Sequence, residues 1–219
     1  MSQKENILDS ISIGLMCYNE VGSIENTLNK IYLFLNKNSS NFEVFIVNDG
    51  STDGTTLLCE GLCKQYKNLH VINHNVNKGI GETLRSIHCN AKNKWVVNVP
   101  ADGQFDIEEL LDIKLCDNEF VGFYRKENLI YNTKRNILSW INKFVLMFFL
   151  NLDVLDINWV KIYPSSFFIN NPIYLKSSLI ESEIVYKLMK SNFNMVQIPS
   201  KYLARNSGQS KGASLKVVS

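Results

Sequence analysis

No stretch of the 219-residue sequence approaches the ~20 apolar residues that a membrane-spanning helix needs, and the longest apolar run lies at residues 144–150. A helix crossing a bilayer is therefore not expected. Residues 1–10 carry Lys4, Glu5 and Asp9 without an apolar run, so no secretory leader is expected and the chain is expected to stay in the cytoplasm. A dense basic stripe is also missing: 23 Lys and Arg against 21 Asp and Glu leave a net charge of +2, which excludes the electrostatic footprint of a nucleic-acid binder. The five cysteines, Cys17, Cys59, Cys63, Cys89 and Cys116, are odd in number. Cys59 and Cys63 have helical spacing rather than that of a zinc knuckle, so reduced thiols are expected. Internal repeats, low-complexity linkers and the full spacing of a P-loop or dinucleotide fingerprint are absent as well.

What is present is a chain 45% hydrophobic and 20% charged, enough apolar material for a buried core. Short β-rich runs at residues 11–17, 42–47, 69–73 and 95–99 alternate with helical patterns. Ile24, Leu28, Ile31 and Leu35 recur at three and four residues, as do Leu57 and Leu58 with Leu62, and Leu84 with Ile87. This βαβαβαβ order predicts a mostly parallel sheet with helices on both faces, its ligands gathering at the carboxyl ends of the strands. The later sequence is less regular: strands are expected at 120–124, 158–163 and 195–198, and helices at 133–152 and 179–190. One compact domain over residues 1–204 is expected, followed by a flexible basic flap or tail at 205–219.

Each predicted strand of the first half ends in a polar cluster. Tyr18-Asn19-Glu20 follows the first, and Asn48-Asp49-Gly50-Ser51-Thr52-Asp53-Gly54 follows the second, where an aspartate can accept hydrogen bonds from a base or ribose and glycines allow close approach. Asn77-Lys78-Gly79-Ile80-Gly81 opens the next helix, where free N–H groups suit a phosphate. Pro100-Ala101-Asp102-Gly103-Gln104 follows the fourth strand, with two oxygen-bearing side chains able to hold a hard divalent cation.

In order and spacing these clusters resemble the family two glycosyltransferases of the GT-A, Rossmann-like α/β fold. The resemblance implies a nucleotide-diphosphate sugar donor, held by Tyr18, Asn19, Glu20, Asp49, Ser51, Lys78, Gly79, Ala101 and Asp102. It also implies Mg²⁺ or Mn²⁺ on the pyrophosphate through Asp102 and Gln104. Where the family carries a first acid, this chain has Pro100, and Met16 stands where a proline usually precedes Tyr18.

Farther on, Arg125 and the helical pair Arg135 and Ser139 resemble the polyprenyl-phosphate branch, which includes the dolichyl-phosphate mannose synthases, and there they would hold the acceptor phosphate. The segment Arg205 to Lys211 resembles the same branch's R-x-x-G-x-S-K flap, so Arg205 and Lys211, with Asp102 and Gln104, are the groups expected to stabilise the leaving diphosphate. Asp156 and Lys161 fall near a further branch motif whose spacing here is one residue short. The aromatic helix around Trp140, Phe144, Phe148 and Phe149 fits a buried core and an interfacial position equally, the latter placing the protein peripherally at the inner face of a membrane. A sugar hydroxyl as acceptor would need a general base, for which Glu181 and Glu183 are the candidates. Transfer from sugar to sugar in capsule or lipopolysaccharide synthesis, and a non-catalytic nucleotide-sugar-binding module, stand as rival readings; a nucleotidyltransferase lacks its glycine- and basic-rich amino-terminal loop here.

Overall fold

The computed structural model describes residues 3–125, 153–177 and 179–205. The sequence-predicted helix at 133–152, with Arg135 and Ser139, and the flap residue Lys211 lie outside them.

Two short strands, β1 (Glu5–Asn6) and β6 (Lys114–Leu115), pair antiparallel at one edge. The main sheet contains β2 (Ile11–Cys17), β3 (Phe42–Asp49), β4 (Leu69–His74), β5 (Trp95–Pro100), β7 (Glu119–Arg125), β8 (Lys161–Pro164) and β9 (Asn194–Ser200), in the order β4-β3-β2-β5-β8-β7-β9. The first four are mutually parallel. β8 alone runs against its neighbours β5 and β7, and β9 returns parallel to β7. The carboxyl ends of β2, β3, β4, β5, β7 and β9 therefore share one edge, and β8 starts there.

The helices are α1 (Ile24–Asn38), α2 (Thr55–Gln65), α3 (Ile80–Asn90), α4 (Ser166–Asn170) and α5 (Ile180–Lys190). Strand residues alternate between two cores. Ile11, Ile13 and Leu15 of β2, Val44 and Ile46 of β3 and Val97 of β5 pack with Ile24, Leu28, Ile31 and Leu35 of α1 and with Cys59 and Leu62 of α2. Val47, Val96 and Phe120 turn to the opposite face, against Leu84 and Ile87 of α3 and Ile180, Ile184 and Leu188 of α5. Full burial stabilises by roughly 2 kcal/mol for each such side chain, so the helical periodicity of α1 fixes which of its faces meets the sheet. α3 comes so close to β2 that a Cβ at Gly14 would lie 2.4 Å from Ile87, a distance only glycine permits.

Within the described residues the expected strands and helices appear within a few residues, with three informative differences. Leu57, read as part of α2's apolar face, is 76% exposed, because the buried row runs through Cys59 and Leu62 instead. β8 begins at Lys161, three residues later than expected. The carbonyls of Ile157 and Trp159, which a strand would pair with another strand, accept from the Lys161 ammonium. α4 is five residues long, too short to leave a periodic signature.

Candidate active site

At the shared edge, the loops after β2 and β3 are bound to each other. Asn19 takes a left-handed backbone, φ 54°, which asparagine tolerates better than most residues. Its N–H donates to Ser51 Oγ at 2.8 Å, and its Oδ1 accepts from the Thr52 N–H at 2.7 Å. The Glu20 N–H donates to Thr55 Oγ1 at 3.0 Å, and Asp53 Oδ1 accepts from the Thr55 N–H at 3.1 Å at the start of α2. Burial alone would push Asp53 up, but the Thr55 hydroxyl and N–H, with the Val21 N–H, hold it below its usual value. Tyr18 is half-buried beside this lattice.

Asp49, at the end of β3, is buried and closely bound. Its Oδ1 accepts from the Lys78 N–H at 2.9 Å, its Oδ2 from the Gly79 N–H at 2.8 Å, and His74 Nδ1 lies 2.7 Å from Oδ1. His74 is its register partner on β4, and His74 Nε2 reaches Ser86 Oγ at 3.0 Å. Two of the amides expected to face a phosphate are thus directed at Asp49. Gly50, φ 68°, lets residues 76–77 cross above it, since a Cβ there would lie 2.4 Å from the Asn77 nitrogen. The sequence reading did not single out His74; its only local signal was its place at the end of a predicted strand.

Asp102 follows β5, the neighbour of β2. Ala101 beside it is buried, its N–H donating to Met16 O at 3.2 Å and its O accepting from Thr27 Oγ1 at 3.1 Å. Asp102 Oδ1 accepts from the Gln104 N–H at 3.1 Å. Asp102 Oδ2 lies 2.8 Å from Arg205 Nη2, and the same nitrogen is 3.4 Å from Glu20 Oε1. The Leu203 N–H donates to Gln104 O at 3.0 Å, which brings the chain after β9 onto the Asp102 loop. Among the described residues no three His, Cys, Asp or Glu side chains cluster as a metal site. The Asp102 and Glu20 carboxylates that share Arg205 are nonetheless hard oxygen donors, the chemistry Mg²⁺ or Mn²⁺ prefers when phosphate oxygens complete its shell, while Gln104 Nε2 donates to Leu203 O at 3.5 Å.

On the other side of β8, Arg125 is gripped by Asp156, Nε to Oδ2 at 2.7 Å and Nη2 to Oδ1 at 3.1 Å. Its guanidinium lies 4.8 Å from the Trp159 ring and 5.5 Å from that of Tyr202. Trp159 and Tyr202 were not foreseen in this role. The two candidate bases are both engaged. Glu181 accepts from the Tyr163 hydroxyl and lies 3.3 Å from the buried Lys161 ammonium. Burial and the neighbouring Glu181 charge push the Tyr163 hydroxyl well up. Glu183 accepts from the N–H groups of Tyr174 at 2.9 Å and Leu175 at 2.7 Å and from Lys187 at 2.6 Å. Burial pushes Glu183 up, yet Lys187 and these backbone donors bring it below the usual range.

The chain matches the family described as Glycosyl transferase family 2 over residues 12–157, a stretch holding every strand-end cluster from Asn19 to Gln104. It belongs to that family. It is 34% identical over 111 residues to dolichyl-phosphate beta-glucosyltransferase of Saccharomyces cerevisiae, covering 47% of this chain and 33% of that protein. Against dolichyl-phosphate beta-glucosyltransferase ALG5A of Trichomonas vaginalis it is 26% identical over 123 residues, covering 54% and 37%. The matches thus span about a third of the length of these curated relatives. Among solved structures, glucosyl-3-phosphoglycerate synthase from Mycobacterium tuberculosis, in complex with Mn²⁺, UDP and glucosyl-3-phosphoglycerate, gives a TM-score of 0.65 at 14% identity over 92% of this chain and 73% of that one. Mannosyltransferase PcManGT from Pyrobaculum calidifontis, in complex with GDP-Man and Mn²⁺, gives 0.60 at 15% over 90% and 57%. These likenesses establish the GT-A fold for this family two chain.

Proposed function

We propose that this family two protein transfers a sugar from a nucleoside diphosphate sugar to a polyprenyl phosphate, with inversion at the anomeric carbon. The observation that carries this reading is the convergence of Glu20, Asp102 and Arg205 at the edge where the Asn19–Ser51 lattice and the Asp49-bound loop also end. The donor's base and ribose would lie against Tyr18, Asn19, Asp49 and Ser51, and its diphosphate near Lys78, Gly79, Ala101, Asp102 and Gln104. A divalent cation, when bound, would neutralise charge on the departing diphosphate. An acceptor phosphate oxygen forms the new bond to the anomeric carbon as the bond to the diphosphate breaks on the opposite face, and the nucleoside diphosphate leaves with the electron pair. Arg205 and Lys211 would stabilise that charge.

A phosphate acceptor is already anionic and needs no strong general base. This matches the engagement of Glu181 by Lys161 and Tyr163, and of Glu183 by backbone N–H groups and Lys187. Arg125, oriented by Asp156 and Trp159, would meet the acceptor phosphate together with Arg135 and Ser139. No helix among the described residues is long and apolar enough to cross a membrane; in this reading access to the lipid would be peripheral, at the cytoplasmic face. The two curated relatives named above carry dolichyl phosphate in their names, which also supports this acceptor class.

The test is a transfer assay offering short-chain polyprenyl phosphate beside neutral sugar acceptors, on wild type, Arg125→Ala and Arg135→Ala. Product on the lipid phosphate that falls sharply in both variants, with donor hydrolysis retained, is the expected result. Transfer to a neutral sugar, indifferent to both arginines, would instead assign the protein to sugar-to-sugar synthesis.

A further inference from the structure

Two carboxylates at this edge are each half-anchored and half-directed. Glu20 Oε2 accepts from Ser23 Oγ at 2.6 Å, which leaves Oε1 facing Arg205. Asp102 Oδ1 accepts from the Gln104 N–H, which leaves Oδ2 facing the same Arg205 nitrogen. Both carboxylates are largely removed from water, Glu20 at 9% and Asp102 at 7% exposure, and one guanidinium stands between them. Among the described residues one positive charge stands against two buried negative charges, and a divalent cation taking the place of Arg205 would balance both.

Pro100 lies opposite Met16 in the β2–β5 ladder, and Glu20 comes from the turn that follows β2. Glu20 thus supplies, from the turn after the neighbouring strand, a second carboxylate that shares Arg205 with Asp102.

We infer that Arg205 is the resident counter-ion of a cation site whose second carboxylate is Glu20, and that it leaves Asp102 when a divalent cation enters. The inference rests on the transferase reading for its physiological setting. Leu203 stays tied to Gln104 through its N–H, so the exchange requires Arg205 to swing about a fixed point two residues away rather than the whole segment to detach. Released from Asp102, the guanidinium is then within reach of the donor's phosphates, where its planar fork suits anionic oxygens. Arg205 and the cation accordingly compete in the empty protein and cooperate once the diphosphate is present.

The experiment is a titration of the whole chain with Mn²⁺ alone, without nucleotide, read by the paramagnetic resonance signal of free Mn²⁺, on wild type, Arg205→Gln, Glu20→Gln and the double variant. Removing the competitor should tighten Mn²⁺ binding roughly tenfold in Arg205→Gln, about the worth of one partly buried ion pair. Adding Glu20→Gln should abolish that gain. Glu20→Asp, which keeps the charge on a shorter arm, serves if the glutamine variant does not fold, and it should retain part of the gain. Equal Mn²⁺ affinity in wild type and Arg205→Gln, or indifference of the Arg205→Gln protein to Glu20, would overturn the inference. Calorimetry with a nucleoside diphosphate sugar separates this from the transferase reading. Tighter Mn²⁺ binding without any nucleotide-sugar binding would sink that reading alone, while nucleotide-sugar binding with unchanged Mn²⁺ affinity would sink the inference alone.

Discussion

Asp49 and Asp102 occupy similar places in one sheet, Asp49 as the last residue of buried parallel strand β3 and Asp102 two residues past the end of β5, yet they are held in opposite ways. Asp49 accepts from two backbone N–H groups and lies against a histidine from the adjacent strand, partners that cannot leave without dismantling the loop before α3. Asp102 accepts one backbone N–H, and its other oxygen is met by the side chain of Arg205, 103 residues away in sequence. An aspartate bound by backbone fixes a loop, whereas one bound by a long side chain keeps an oxygen that can be exchanged for a ligand.

The largest expected effect falls on chemistry. Asp102→Asn should lower transfer by roughly 10²-fold or more while the thermal midpoint stays close to wild type, because charge is lost from the site without loss of packing. A large fall in the melting temperature would place Asp102 in Asp49's class. Asp49→Ala should do the reverse first, costing roughly 1–2 kcal/mol in urea unfolding by leaving the part-buried Lys78 and Gly79 N–H groups and the buried His74 without their acceptor. Weaker nucleotide binding should accompany that loss, through the displaced Lys78–Gly79 loop; unchanged stability would place Asp49 in Asp102's class.

His88 sharpens the comparison from the core. It is buried, stacked on Phe168 at 3.8 Å, with Nε2 3.3 Å from Asn98 Nδ2. Burial lowers its pKa from 6.5 to about 3. The folded protein therefore refuses a proton that the unfolded chain accepts below pH 6.5, so stability is full above that pH and declines as acid is added toward pH 3. Between pH 6.5 and 5 the loss should be about 1–2 kcal/mol. Urea midpoints measured across that window should show the slope in wild type and lose it in His88→Gln.

The smallest effect belongs to the acceptor side. Asp156→Ala should free Arg125 from its fixed orientation and raise the acceptor KM by roughly fivefold, with donor binding unchanged. A change in donor affinity instead would mean that Asp156 acts on the donor end.

The first half of the molecule was legible because its information is local. β2 runs from Ile11 to Cys17 as expected, since a buried parallel strand is a continuous apolar run, and α1 declares its buried face through Ile24, Leu28, Ile31 and Leu35. Asp102 and Asp49 could be singled out because each stands at or just past the end of such a strand. Their different tethers could not, because His74 and Arg205 are distant in sequence and carry no periodic signal. Glu181 and Glu183 show the same limit. Both read as candidate bases, and what engages them comes from the fold: Tyr163 and Lys161 on β8, and the backbone of residues 174–175. β1 and β6, two residues each, and α4, five residues, fall below the length at which periodicity carries information.

The most direct test of the proposed donor end is a calorimetric titration of wild type, Asp102→Asn and Asp49→Asn with UDP and with GDP, each with and without Mn²⁺. The account expects Mn²⁺ to strengthen binding of one nucleotide to wild type, and Asp102→Asn to lose that strengthening while keeping the weaker cation-independent binding. Nucleotide binding that ignores both Mn²⁺ and Asp102 would contradict it.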